Sequence, residues 1–149
     1  MGGLLSDKVG VDVNALVVEL SEVKKYVDRL QGSIAQLASE LQEIRLSRGA
    51  VEELSGKSSL ETLISLDRRG HTYVRGVISD VKSVVAHIGS NYYAEVPVEL
   101  AVKLLDKKEN DVIQALRMVE NELNKALTYY QQLQEVLSKA LKSQQAKST

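Results

Sequence analysis

The chain has 149 residues, enough for one ordinary domain, and a formal net charge of −1, which argues against a dedicated nucleic-acid binder. It has no cysteine, which removes disulfides, thiolate nucleophiles and Cys-type zinc sites and suits a cytoplasmic location. Phe and Trp are also absent, so six Tyr and the many Leu, Val and Ile must supply the burial, and the pattern does not read as a closed globule.

No apolar run approaches the ~20 residues of a membrane-spanning helix. The opening MGGLLSDKVG lacks the basic-then-apolar order of a secretory signal. Ser6 behind Met1-Gly2-Gly3 fits the myristoylation pattern, but a match this short carries little weight. Residues 1–11 hold no period and read as a flexible N-terminus.

A first helix is expected over residues 12–56, with Asp12 or Asn14 as its cap. Its apolar positions step by three and four: Val13, Leu16, Leu20, Val23, Val27, Leu30, Ile34, Leu37, Leu41, Ile44 and Val51, interrupted only by Arg48. A stripe held this long at an average spacing of about 3.5 calls for a partner helix. Gly32 and Gly49 lie inside the run at roughly 1 kcal/mol each relative to Ala, and Gly56 is a natural stop.

The period then changes. Residues 60–96 read as four short strands in two hairpins. Leu60, Thr62, Ile64 and Leu66 alternate with Glu61, Leu63, Ser65 and Asp67, and Asp67-Arg68-Arg69-Gly70 forms a turn. Thr72–Ile78, Ser83–Ile88 and Tyr92–Val96 follow, with a second turn at Gly89-Ser90-Asn91. Two isolated hairpins are marginal and leave open edges, so the strands are expected to complete a sheet or barrel shared with other chains. Leu60, Thr62, Ile64, Leu66, Tyr73, Val74, Val84, Val85, Ile88, Tyr92 and Tyr93 are the candidate oligomer-interface residues.

A second helix is expected over 97–143, with Pro97 in its first position and 144–149 as a frayed tail. Its stripe runs through Val102, Leu105, Val112, Leu116, Val119, Leu123, Ala126, Tyr130, Leu133, Leu137 and Ala140, interrupted only by Glu109. If the helices pack antiparallel, the two interruptions fall in neighbouring layers. An Arg48–Glu109 contact that helps fix the register is therefore expected. An arm of more than forty residues per helix would be roughly 60–65 Å long. The fold class is mainly α: a long antiparallel two-helix coiled coil with two central β-hairpins that join an intersubunit β-barrel.

The chain resembles the α-class prefoldin subunits, of the archaeal type. Val84-Val85-Ala86-His87-Ile88-Gly89-Ser90-Asn91-Tyr92-Tyr93-Ala94-Glu95 is similar to the family's apolar strand, turn, aromatic and acidic residue before the second helix. Ala101 matches a usual Ala of that helix, and Leu60–Leu66, Gly70, Tyr73, Val74 and Gly76 resemble the first hairpin. Asn91 stands in place of a turn glycine, Ile64-Ser65-Leu66 lacks a common proline, and Pro97 replaces a polar residue. The resemblance implies a hexamer with prefoldin β subunits, two α and four β, built on a double β-barrel with six coiled coils. It also implies an ATP-independent holdase that passes unfolded clients to a group II chaperonin. No Gly-rich phosphate loop occurs.

A holdase needs exposed apolar surface. The candidate client-binding residues lie where the helix ends meet: Leu4, Leu5, Val9, Val11, Val17, Val18, Val136, Leu137 and Leu141. Leu137 is also an ordinary seam position. His71 and His87, with Asp67 and Asp80, match no metal-ligand spacing and read as sheet-surface residues. No nucleophile–base cluster or cofactor motif is present, so neither enzyme activity nor a cofactor, metal, nucleic-acid or membrane partner is expected. The rival reading is a structural coiled-coil scaffold or adaptor on the same fold.

Overall fold

A computed structural model describes residues 12–147. Six elements follow in order: α1 (Val13–Leu54), β1 (Ser59–Ser65), β2 (Tyr73–Ser79), β3 (Ser83–Gly89), β4 (Tyr92–Pro97) and α2 (Val98–Lys147). The expectation of two long helices around two antiparallel hairpins is what the structure shows. The expected flexible N-terminus, 1–11, lies outside the described residues.

Local chemistry sets the element ends. Asp12 caps α1: its Oδ1 accepts the backbone N–H of Asn14 at 3.0 Å and of Ala15 at 3.3 Å. α1 ends two residues short of the expected 56, and Gly56 supplies the left-handed φ of +80° just beyond it. Pro97, expected to open the second helix, instead closes β4, and the helix begins at Val98. α2 runs on to Lys147 rather than fraying after 143, because Lys, Gln and Ala are good helix formers and Lys147 suits the negative helix end.

The chain divides into two compact units. In the first, residues 13–38 of α1 run antiparallel to residues 114–147 of α2. The seam buries Leu16, Val27, Ala126 and Leu133, and half-buries Leu20, Val23, Leu30, Leu123, Tyr130 and Leu137. Every stripe position in this segment is at least half-buried, as heptad spacing requires. Tyr26 Oη donates to Glu122 at 3.5 Å and Tyr129 Oη donates to Glu19, so each helix gives a tyrosine to the other's carboxylate.

The second unit is Ser39–Ile113. Its core consists of Ile44, Val112, Val96, Val98 and Ala101, the last only 1% exposed. β1 pairs with β2 and β3 with β4, each pair forming a separate two-stranded antiparallel sheet. The bond pattern shows which backbone groups face outward. Asp80 N–H donates to Ser58 O at 3.0 Å and Leu66 N–H to Thr72 O at 3.0 Å. With Leu60 opposite Ile78, alternation leaves the N–H and C=O of Glu61, Leu63, Arg75 and Val77 pointing away from their partner strand. In the second hairpin Val98 N–H donates to Lys82 O at 3.2 Å. The same alternation turns Ser83, Val85 and His87 outward on β3, and Tyr93, Glu95 and Pro97 outward on β4. Pro97 thus sits where no ladder donor is needed, which explains its place in a strand.

Candidate interaction surfaces

The first surface is the pair of hairpins in the second unit. Among the described residues neither sheet has a third strand, so both edges of each hairpin are free of a partner strand there. On the first hairpin, Leu60, Thr62 and Ile64 share a face with Val74, Gly76 and Ile78. Leu60 and Thr62 are half-buried, whereas Ile64 and Val74 are exposed. The opposite face carries Leu63, Tyr73 and Val77, all exposed. Leu63 and Val77 were not among the residues singled out from sequence, where the alternation pointed to one apolar face. Apolar residues on both faces suit strands that are covered on both sides. Leu66, expected within the first strand, lies one residue past its end and is exposed.

The turn joining β1 and β2 is built on Asp67. Its carboxylate accepts the backbone N–H of Arg69 at 2.7 Å, of His71 at 3.0 Å and of Thr72 at 3.3 Å, and contacts His71 Nδ1 at 3.1 Å. The His71 contact first, then the backbone donors, hold the Asp67 carboxyl below the usual carboxylate range, partly opposed by desolvation. Gly70 adopts a φ of +73°, and a Cβ there would crowd the Tyr73 hydroxyl.

On the second hairpin Val84 is half-buried, while Val85, Ile88, Tyr92 and Tyr93 are exposed. Alternation puts Tyr92 and Tyr93 on opposite faces, and Tyr93 meets His87 edge-to-face at 5.1 Å between ring centres. Among the described residues, no group of three or more His, Cys, Asp or Glu is placed to hold a metal ion, and no helix is long and apolar enough to cross a membrane.

Beside the hairpins lies a charged cluster. Arg48 pairs with Glu109 and, at 2.8 Å, with Asp106, while Arg45 Nε donates to Glu109 at 3.1 Å. Glu109 and Arg48 are half-buried in stripe positions. The Asp106 hydrogen bond first, then the nearby negative charges, raises the Arg48 pKa further, against desolvation, so its charge is permanent. Arg45 and Asp106 were missed from sequence because they lie off the stripe and reach in from its flanks.

The second surface is in the first unit. Val17, Val18, Val136 and Leu141 are exposed, whereas Leu137 is half-buried and belongs to the seam. Leu4, Leu5, Val9 and Val11 lie outside the described residues. Glu19 precedes Tyr26 by seven residues and Glu122 precedes Tyr129 by seven, and this heptad spacing could have announced the reciprocal Tyr–Glu contacts. The Glu19 bond is the main reason the Tyr129 hydroxyl is pushed up from its ordinary pKa, desolvation adding to it.

Comparison with known proteins agrees with this architecture. The family described as Prefoldin subunit matches residues 23–143. A prefoldin subunit alpha from Sulfurisphaera tokodaii is 34% identical over 139 residues, covering 93% of this chain and 91% of its own length. One from Saccharolobus solfataricus is 31% identical over 131 residues, 87% of each chain. The cryo-EM structure of filamentous PFD from Methanocaldococcus jannaschii shares the fold, with a TM-score of 0.65 at 17% identity over 80% of this chain and 96% of that one. By family match, by identity over most of its length and by fold, the chain belongs to the prefoldin family of chaperone subunits, alongside archaeal α subunits.

Proposed function

We propose that this chain is the α-type subunit of an ATP-independent holdase, joined to prefoldin β subunits through its hairpins in an α2β4 hexamer. It captures unfolded proteins at the helix ends and hands them to a group II chaperonin in the cytoplasm. The observation that carries the capture step is the exposure of Val17, Val18, Val136 and Leu141 beside a seam that is already filled. A two-helix seam buries one stripe per helix, and these residues lie off it or at its margin. Several such weak patches on linked arms would act together, since linkage raises effective concentration, and that suits clients with no common sequence.

The hairpins support the assembly step. Their outward N–H and C=O groups at Glu61, Leu63, Arg75 and Val77 are a template for strands of other subunits. We further propose that the Arg48–Glu109 pair, with Arg45 and Asp106, fixes the register of the seam in the second unit, since a polar pair in an apolar seam is satisfied in only one alignment.

The test is reconstitution with partner β subunits, followed by light scattering of several unrelated unfolded proteins without nucleotide. The reading requires suppressed aggregation for all of them, and release when a group II chaperonin is added. Binding to one folded protein, with no effect on the unfolded ones, would favour a scaffold instead.

A further inference from the structure

The four strands hold only three side chains of fixed charge: Glu61 on β1, Arg75 on β2 and Glu95 on β4. All three are exposed, and all three stand where the backbone groups point away from the partner strand. β3 has no fixed charge of its own. One is brought to it from α2: half-buried Lys108 donates from Nζ to the outward carbonyl of His87 at 2.8 Å. Its ammonium keeps further donors, and no acidic residue lines the groove it shares with Val85 and Leu104. Each hairpin therefore has one acidic and one basic edge, with β1 and β4 negative and β2 and β3 positive.

These charges are not consumed within the hairpins. Among the described residues Glu61 and Arg75 enter no ion pair. Yet they share a face: Glu61 stands opposite Val77 and Leu63 opposite Arg75, which makes the two diagonal neighbours. Glu95 accepts a bond from the neutral hydroxyl of Ser83 at 2.7 Å. A strand added to any of the four edges would set its side chains beside the charge there. Opposite charges across such a pair attract and like charges repel.

We infer that the edges sort the strands of prefoldin β subunits by charge. β2 and β3 take a strand that sets an acidic residue beside Arg75 or Lys108, and β1 and β4 take one that sets a lysine or arginine beside Glu61 or Glu95. Outward N–H and C=O groups attract any strand alike. Discrimination needs an element that repels the wrong one, and the edge charges supply it. Both hairpins stay open to pairing, and the charges decide which strand lies where. The inference rests on the proposed joining of the hairpins to β subunits.

The test mixes the full chain with prefoldin β subunits and measures the apparent Kd of the complex by sedimentation at low and high salt, with circular dichroism to verify the fold. Arg75→Glu and Lys108→Glu turn an attraction into a repulsion, and each should weaken assembly about tenfold at low salt. The loss should shrink at high salt, which screens exposed charges. Lys108→Arg keeps the charge and should assemble like wild type. Glu61→Arg combined with Arg75→Glu preserves the diagonal pair inside the hairpin but reverses both edges, so it should assemble worse than Arg75→Glu alone. Recovery of wild-type assembly by that exchange would place the effect inside the hairpin and overturn the inference. Folded reversal variants that assemble like wild type at low salt would also overturn it, as would variants altered only in association of the chain with its own copies. A wild-type chain that joins no β subunit would remove the proposed assembly together with the inference, whereas charge-independent joining would remove the inference alone.

Discussion

Seam and exposed residues in the first unit should separate stability from activity. Leu133 is 7% exposed, whereas Val18 is 62% and Leu141 45% exposed. Truncating a buried leucine costs ~2–5 kcal/mol, and a two-helix seam flanked by water can collapse around the gap, which places Leu133→Ala near ~2 kcal/mol. For a chain of this size, that is a fall of about 4–8 °C in Tm. Val18→Ser with Leu141→Gln removes little buried surface and costs under roughly 1 kcal/mol, a shift of about 2 °C. The assay pairs thermal unfolding with suppression of aggregation well below either midpoint. Leu133→Ala should melt earlier yet still suppress, while Val18→Ser/Leu141→Gln should melt normally and lose most of the suppression. A folded, assembled Val18→Ser/Leu141→Gln variant that suppresses as well as wild type would refute the claim that exposed helix-end residues hold the client.

Three further outcomes are expected. Arg48→Leu with Glu109→Leu should leave the helices paired but admit a register one heptad away, a displacement of about 10 Å at ~1.5 Å per residue; spin labels at Ser47 and Lys107 would then report two distances, and a single wild-type distance would remove the register role. Gly70→Ala should destabilise the first hairpin by the ~1–2 kcal/mol of a left-handed non-glycine residue; a melting curve like that of wild type would contradict this. The depressed Asp67 carboxyl stabilises the turn above the ordinary aspartate range, and that contribution is lost as pH falls through its lowered folded value; the amide signals of Arg69, His71 and Thr72 should move together in that acid window and stay still in Asp67→Asn.

The helices and hairpins were legible because each imposes a period that few other structures satisfy. The stripe from Val13 to Val51 and its counterpart after Val102 can be buried only by helices, and the alternation from Leu60 to Leu66 only by a strand. Boundaries were less legible. Pro97 is compatible with either a helix start or an outward edge position, and only the ladder alignment with Ser83 separates the two. Leu63 and Val77 were hidden because they share their face with Glu61, Ser65 and Arg75, whose alternation with Leu60, Thr62 and Ile64 marks that side as polar.

The stability of both hairpins as two-stranded sheets with open edges is the feature that most needs other chains to explain it. The most direct measurement is therefore the intact mass of the complex that co-purifies with this chain from its native cell extract. The account predicts a hexamer in which two copies of this chain accompany a smaller two-helix subunit in twofold excess. A homo-oligomer, or a complex with one folded protein of another kind, would contradict the proposed assembly and with it the holdase reading.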